Sequence, residues 1–218
     1  MTEYSLHSEI KDWYSILGDE IESKVEDFKV DILRDKLLIE IQTGNFSAVK
    51  KKLNKLLLNN KVRLVYPIAK LKWIVNVSGS GEFVSRRKSP KKGRLIDLFY
   101  ELVYTPCLVK EKNFSLEVLL IEEEEYRCDD GAGSWRRKGV SVKDRRLLNV
   151  FDRITFEDDR DFLELLPKKL DGYFTNKILA LKLGISVRLA QKITYCLRKM
   201  GAISIAGKKG KELLFQVS

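Results

Sequence analysis

Polar side chains that could do chemistry interrupt two apolar stretches near the N-terminus. Asp31 lies within residues 28–33, and Glu40 and Gln42 lie within residues 37–42. Burying a carboxylate is costly unless a cation or hydrogen-bond donors offset the cost. We expect Asp31 and Glu40 to lie close together on neighbouring antiparallel strands, with Gln42 on the same face as Glu40. Two converging carboxylates suit a hard divalent cation such as Mg²⁺ or Mn²⁺.

The elements that position these side chains follow from the hydrophobic pattern. A first helix is predicted up to Leu17, because apolar residues repeat there at helical spacing. Three β-prone stretches, a lysine-rich amphipathic helix and a further strand follow at residues 21–25, 28–33, 37–42, 46–58 and 62–68. The order αβββαβ predicts an α/β fold built on a mixed sheet.

The spacing of the acidic residues resembles a known nuclease motif. Asp31, eight intervening residues and then Glu40-Ile41-Gln42 resemble the PD-(D/E)XK superfamily, whose fold is restriction-endonuclease-like. The resemblance covers about residues 5–70. It implies metal-dependent hydrolysis of a phosphodiester, with Asp31 and Glu40 as ligands of Mg²⁺ or Mn²⁺.

The same resemblance leaves two positions of the site open. The superfamily contributes a further acid from upstream, for which Glu9 and Glu22 are the candidates. Its usual lysine is replaced here by Gln42, which can orient a water but cannot act as a general base, because an amide does not titrate in the useful range. Lys50 or Lys52 of the next helix could substitute for it.

Positive charge is concentrated at the C-terminus. The chain has 41 Lys and Arg against 31 Asp and Glu, a net charge of +10. Residues 168–218 contain 11 basic and 2 acidic residues, so they carry +9 of that charge. Such a concentration is typical of a module that binds a polyanion.

This basic segment resembles a winged helix-turn-helix over roughly residues 158–218. Thr175 and Ser186 are predicted to cap two helices that end at Gly184 and Gly201, and a hairpin with a basic tip at residues 207–210 follows. The resemblance implies that the second helix enters a major groove of DNA. The implied contacts are Ser186, Arg188, Gln191, Lys192, Lys208, Lys209 and Lys211. Winged helices also dock proteins, so a protein partner remains an alternative.

Three features of the middle segment allow more than one interpretation. Residues 86–94 are predicted to form a basic loop, because Pro90 and Gly93 disfavour a helix, and the loop could contact phosphates or be merely solvated. Its candidate contacts are Arg86, Arg87, Lys88, Lys91 and Lys92. Residues 122–125 are four glutamates, interpreted as a solvated strand end and not a metal cluster. Trp135, beside three basic residues, could stack on a ligand or pack internally, and residues 143–166 are predicted to be helical.

Composition excludes several other classes. One histidine and three separated cysteines provide neither a His-containing zinc site, nor a serine-type triad, nor a disulfide framework. The apolar runs are too short for a membrane helix and the first residues do not form a signal peptide, so we expect a soluble cytoplasmic protein. We predict a nuclease-like domain at residues 1–155 and a winged helix at residues 156–218.

Three functions are compatible with these features. The first is a magnesium-dependent endodeoxyribonuclease, a hydrolase brought to double-stranded DNA by the winged helix, with a homodimer as one way to cut both strands. The second is a DNA-binding regulator whose nuclease-like domain is inert. The third is an interaction scaffold whose winged helix docks a protein partner.

Overall fold

Helices and strands are interspersed along the chain in the computed structural model, which describes residues 5–168, 170 and 172–218. In those residues the helices are α1 (Ser5–Tyr14), α2 (Phe46–Leu56), α3 (Phe99–Leu102), α4 (Asp159–Leu163), α5 (Asn176–Leu183) and α6 (Val187–Met200). The strands are β1 (Glu20–Ile21), β2 (Lys24–Val25), β3 (Phe28–Lys29), β4 (Ile32–Arg34), β5 (Leu37–Ile41), β6 (Lys61–Val77), β7 (Phe83–Lys88), β8 (Phe114–Asp129), β9 (Val140–Phe156), β10 (Ile203–Lys209) and β11 (Glu212–Val217). None of these described helices is long and apolar enough to cross a membrane.

Seven strands form one mixed sheet in the order β1-β4-β5-β6-β8-β9, with β7 paired to β6. β4 and β5 are antiparallel, whereas β5, β6 and β8 run parallel to one another. β9 is antiparallel to β8. Two separate hairpins, β2-β3 and β10-β11, lie outside this sheet. The prediction of an α/β fold with a mixed sheet is therefore confirmed.

The two faces of the sheet bury apolar side chains against different helices. α1 presents Leu6 and Ile10, four residues apart on one helical face, and both are fully buried. They pack with Ile39 and Ile41 of β5. Successive residues of a strand point to opposite faces, so Leu38 lies on the other face, in the cluster that includes the apolar residues of α2.

The C-terminal residues form two helices and a hairpin, as predicted. The Thr175 hydroxyl accepts a hydrogen bond from the Ile178 amide at 3.4 Å, and the Ser186 hydroxyl accepts one from the Leu189 amide at 3.2 Å. Both residues are therefore N-caps. Gly201 follows α6 with a φ of 97°, a conformation that favours glycine.

The hydrophobic core continues across the predicted domain boundary at residues 155 and 156. Apolar residues of α4, α5 and α6 belong to the same buried cluster as those of α2 and α3. Phe162 of α4 stacks on Phe156 of β9 with ring centroids 4.5 Å apart, and meets Phe99 of α3 edge-on at 6.3 Å. α6 also packs against α3 and the 3-10 turn Pro106–Lys110. Residues on both sides of the predicted boundary therefore pack into one core. The division of the chain into two domains stays a prediction.

The long strands beyond β5 correct two expectations. The prediction of a helix over residues 143–166 was wrong, because Val140–Phe156 forms β9 along the whole edge of β8, and only Asp159–Leu163 is α-helical. The loop predicted at residues 86–94 is a loop only from residue 89. Arg86, Arg87 and Lys88 lie on β7, because β6 extends past β5 and offers an open edge there.

The glutamates of β8 and the C-terminal hairpin also differ from expectation. Residues 122–125 do not form a solvated strand end, because Glu123 is 0% and Glu125 is 7% exposed. Lys72 Nζ lies 2.7 Å from a carboxylate oxygen of each. In the hairpin, β10 extends to Lys209, so Lys208 and Lys209 lie on the strand, before the turn.

We expect Phe162→Ala to lower the free energy of unfolding by about 3–5 kcal/mol, because truncating a fully buried aromatic side chain leaves a cavity. Tyr173→Ala, at a side chain that is 63% exposed, is the matched control and should change it by less than about 0.5 kcal/mol. Urea unfolding followed by fluorescence and far-UV circular dichroism should remain one transition. Two separate transitions would contradict a shared core.

Candidate functional site

The structure brings Asp31 and Glu40 to the same end of the β4-β5 hairpin. Ile32 pairs with Ile39 in the antiparallel ladder, and Asp31 and Glu40 directly flank that pair. Asp31 Oδ2 accepts a hydrogen bond from the Ile41 amide at 2.7 Å. The two-residue turn at residues 35–36 makes this possible, because it fixes the register of the two strands.

Glu40 is buried and paired with a lysine from α2. Its residue surface is 7% exposed, and its Oε2 lies 2.6 Å from Lys52 Nζ. The Lys52 ammonium also donates to the backbone carbonyl of Lys29. Of the two lysines that the sequence offered in place of Gln42, Lys52 thus contacts the site, while Lys50 is exposed on α2.

The two carboxyl groups have opposite pKa shifts. Burial, followed by the charge on Asp31, raises the pKa of Glu40 to about 7, and Lys52 opposes this shift. Burial also raises the pKa of Asp31, but the hydrogen bonds from His7 and the Ile41 amide outweigh it and leave that pKa below its usual value. Near neutral pH the pair therefore holds one firmly ionised carboxylate beside one that titrates.

His7 is a residue of the site that sequence reasoning missed. Its Nε2 donates to Asp31 Oδ2 at 3.3 Å. Four residues later on the same face of α1, Lys11 Nζ lies 2.6 Å from Glu22 Oε1. A signal was present in the sequence: the i, i+4 spacing places a histidine and a lysine on one helical face, opposite strands that carry acids.

The remaining predicted catalytic residues form hydrogen bonds and ion pairs with other partners. The Gln42 side-chain amide donates to the Gly44 carbonyl, within the connection to α2. Glu22 pairs with Lys11 and Lys29. Glu9 accepts a hydrogen bond from the Leu147 amide of β9 at 2.6 Å. Their described hydrogen bonds and ion pairs do not reach the side chains of Asp31 or Glu40.

The donor set fits a magnesium ion. Asp31 Oδ1 and Glu40 Oε1 make no hydrogen bond to any other described residue, so one hard oxygen of each carboxylate is available. In residues 5–168, 170 and 172–218, no group of three or more His, Cys, Asp or Glu residues converges to hold a metal. Mg²⁺ commonly binds through one or two carboxylates and keeps waters or substrate phosphates as its other ligands. Asp31 and Glu40 therefore fit such an ion, whereas a cage of protein ligands does not form.

The residues predicted to contact DNA on α6 divide into two sets. Arg188 and Gln191 are exposed, and Ser186 caps the helix. Lys192 is half-buried, and its Nζ lies 5.6 Å from the ring centroid of Tyr104, next to α3. Lys192 therefore packs against the N-terminal part of the protein. On the hairpin, Lys208, Lys209 and Lys211 are exposed.

The basic stretch at residues 86–94 reaches the C-terminal module. Arg94 Nη1 donates to the Gly184 carbonyl, in the turn before α6, at 3.4 Å. Lys91 and Lys92 are exposed nearby in sequence, as is Arg87 on β7. Arg86 instead pairs with Glu124 at 2.6 Å and stacks over Trp73, with its guanidinium carbon 3.9 Å from the ring centroid.

Comparisons with known proteins place most of the chain in one family. The family model described as "Domain of unknown function (DUF8091)" matches residues 4–157, which include Asp31, Glu40 and Lys52. An uncharacterized protein of Treponema pallidum (strain Nichols) is 28% identical over 215 residues, which cover 98% of this chain and 85% of that protein. No solved structure matches the chain.

The raised pKa of Glu40 predicts that metal-free protein loses stability as the pH rises. The folded-state pKa of about 7 lies above the ordinary value of 4.5, so the folded state binds the proton more tightly between these values. The free energy of unfolding should therefore fall across that interval, by up to about 3 kcal/mol.

Urea unfolding in EDTA at pH 5 and pH 8 measures this contribution. Glu40→Gln should remove this pH-dependent contribution. The free energy of unfolding of the variant, taken relative to that of wild type, should therefore be higher at pH 8 than at pH 5. Asp35→Asn, which neutralises an exposed carboxylate on the turn of the same hairpin, should keep the wild-type pH dependence. Identical pH dependence in wild type and Glu40→Gln would show that Glu40 titrates normally.

Proposed function

The chain belongs to the DUF8091 family, and we propose that it is a metal-dependent nuclease with a winged-helix module that holds it on DNA. The observation that carries this proposal is the arrangement of Asp31, Glu40 and Lys52: two carboxylates at one end of a hairpin, with a lysine ammonium 2.6 Å from one of them. Carboxylates and a lysine at the end of a strand pair are suited to the hydrolysis of a phosphodiester.

The chemical roles follow from the contacts. A divalent ion bound by Asp31 and Glu40 would polarise the scissile phosphate and lower the pKa of a bound water. The Lys52 ammonium has three N–H donors, of which two are directed to Glu40 and the Lys29 carbonyl. The third can donate to a phosphate oxygen or to the attacking water. Lys52 thus supplies the positive charge that Gln42 lacks, from α2 and not from β5.

The fold around the site supports the restriction-endonuclease-like assignment. The order of the elements that surround the acids is α1, β1, β4, β5, α2 and β6, which is the αβββαβ order apart from the small hairpin β2-β3. β5 carries Glu40, is antiparallel to β4 and is parallel to β6. The position of Asp31 immediately before β4 agrees with the motif.

The C-terminal module supports DNA as the partner. α5 and α6 are joined by a three-residue turn at residues 184–186, and the β10-β11 hairpin follows. Arg188 and Gln191 on α6 and the lysines of the hairpin are exposed. Because α6 also packs against α3, the DNA-binding helix is held in a fixed position relative to the nuclease site.

A second function is favoured by one observation. Glu40 is already paired with Lys52, and Asp31 already accepts hydrogen bonds from His7 and Ile41. Carboxylates stabilised in this way do not require a metal. We would expect the same contacts in a non-catalytic DNA-binding regulator whose nuclease-like domain is inert. Cleavage assays separate the two functions.

We expect the purified protein to cut DNA in the presence of Mg²⁺ or Mn²⁺ and to be inactive in EDTA. Asp31→Asn and Glu40→Gln should each lower the cleavage rate at least about a hundredfold, because each removes a carboxylate that would hold the metal ion. Lys52→Ala should lower it at least about tenfold, because it removes an ammonium that would stabilise the negative charge of the transition state. Asp35→Asn, on the turn of the same hairpin, is the matched control and should cut like wild type. Linear, supercoiled and single-stranded substrates should all be assayed.

If wild type cuts none of these substrates with either metal, the chain is the inert regulator. If it cuts and Asp31→Asn cuts equally well, the catalytic site lies elsewhere.

The winged-helix assignment predicts a salt-dependent affinity. We expect Arg188→Ala with Lys208→Ala and Lys209→Ala to reduce the slope of log K against log salt by about 2–3 for duplex DNA, since each phosphate contact contributes about 0.9. The control is Lys24→Ala with Lys36→Ala and Lys112→Ala, which removes three exposed lysines that have no described carboxylate partner. An equal loss of slope in both triple variants would mean that the contribution is general charge and not the module.

A further inference from the structure

The connection between β8 and β9 displays a tryptophan that the proposed function does not use. We call residues 129–139 the sheet tip, because they lie at the far end of the long strands β6, β8 and β9. Trp135 within it is 83% exposed. The indole is therefore not packed in the interior of the protein. Of the two interpretations of the sequence, internal packing or stacking on a ligand, only the second remains. The guanidinium carbon of Arg136 lies 5.5 Å from the ring centroid of Trp135.

The backbone of the sheet tip has a defined conformation. The Gly133 amide donates to the Gly139 carbonyl at 2.7 Å. A Cβ on Gly133 would lie 1.9 Å from the Val140 carbonyl oxygen, so only glycine fits there. Arg137 Nε donates to that same carbonyl at 3.1 Å. These contacts hold the short turn that presents Trp135, so the backbone that carries the indole needs little ordering when it binds a partner.

The cations that follow Trp135 on the sheet tip are not paired with carboxylates as the cations elsewhere on these strands are. Of the two acids of the sheet tip, Asp129 and Asp130, the second pairs with Lys143. Further down the strands, Glu123 pairs with Lys72 and Arg145, and Glu124 pairs with Arg86. On the sheet tip, in contrast, no carboxylate of the described residues lies within ion-pair distance of the three consecutive cations. These are Arg136, Arg137 and Lys138.

A cleft lies next to the sheet tip. Its volume is about 400 Å³, and its lining includes Tyr126, Lys143, Arg146 and the loop at residues 78–81. Lys143 connects it to the sheet tip, because its Nζ lies 2.5 Å from Asp130 Oδ2. Arg146 lies over the Tyr126 ring, 5.6 Å from its centroid. Aromatic rings and cations therefore continue from Trp135 into a concave surface, where Lys143 and Arg146 are paired with Asp130 and Asp144.

We propose that the sheet tip binds single-stranded nucleic acid, with an unpaired base stacked on Trp135 and the backbone phosphates contacting Arg136, Arg137 and Lys138. Stacking platforms that alternate with cations are the general means of holding single strands. Within a duplex the faces of each base are covered by its stacked neighbours, so an exposed indole favours a partner with unpaired bases. This surface is separate from α6, and its binding can be measured without any cleavage.

An anionic membrane shares the phosphate chemistry but fits less well. Apart from Trp135, Ala132 is the only apolar residue between residues 129 and 139. Peripheral membrane anchors use a wider apolar face with several large side chains. A single indole among glycines and cations instead matches one stacked base per site.

Fluorescence anisotropy of a labelled 20-nucleotide oligo(dT), in EDTA so that no strand is cut, tests the proposal. Trp135→Ala should weaken binding about tenfold, and Trp135→Phe, which keeps an aromatic face, should stay within about threefold of wild type. Replacing Arg136, Arg137 and Lys138 by alanine should reduce the salt slope by about 2. The matched control, the triple variant of Lys24, Lys36 and Lys112, should leave the slope unchanged.

A direct optical readout complements these affinities. In a Trp13→Phe, Trp73→Phe background, Trp135 is the only tryptophan, and its emission should be quenched by oligo(dT) and not by a blunt duplex of the same length. This variant keeps the sheet tip intact, and circular dichroism confirms its folding.

Three results would overturn the proposal. In the first, Trp135→Ala binds oligo(dT) as tightly as wild type. In the second, duplex and single strand quench the Trp135 emission equally. In the third, Trp135→Ala no longer binds phosphatidylserine vesicles while its binding to oligo(dT) is unchanged. Absence of nuclease activity would not affect it, because the binding assays contain no metal and require no cleavage.

Discussion

The placement of two carboxylates at one end of a short hairpin is the constraint on which the candidate site depends. Asp31 and Glu40 repel each other in a buried setting, and the pKa of Glu40 rises to about 7 as a result of burial and that charge. Two side chains offset this repulsion. Lys52 of α2 pairs with Glu40, and His7 of α1 forms a hydrogen bond with Asp31. The helices on the two faces of the sheet are thereby tied to the same pair of side chains.

Other buried acids of the sheet show how this pair differs. Glu117 is 2% exposed and interacts with Arg63 and the Tyr14 hydroxyl. Glu123, which is 0% exposed, lies between Lys72 and Arg145. Each of these carboxylates has its own basic partners and connects neighbouring elements, as expected for a structural ion pair. In the Asp31 and Glu40 pair, in contrast, the charge of one carboxylate helps to raise the pKa of the other, as expected for a functional site.

The sequence predicted local features better than long-range ones. Helix caps at Thr175 and Ser186 and the order of elements around Asp31 depend on neighbouring residues, so the pattern alone was sufficient. The strand β9 was predicted as a helix, because its stability comes from pairing with β8, a contact between distant residues. The burial of Glu123 was not predicted for the same reason, because only the fold brings Lys72 and Arg145 next to it. His7 was missed because Asp31, which it contacts, lies 24 residues away in the sequence.

Anomalous X-ray scattering from a crystal soaked in Mn²⁺ tests the central claim most directly. The account predicts one strong anomalous peak within about 2.0–2.3 Å of Asp31 Oδ1 and Glu40 Oε1, with waters completing its coordination. The same soak of a Glu40→Gln crystal should give no peak there. A wild-type crystal without a peak at this position, with Lys52 still paired to Glu40, would contradict a metal-dependent site.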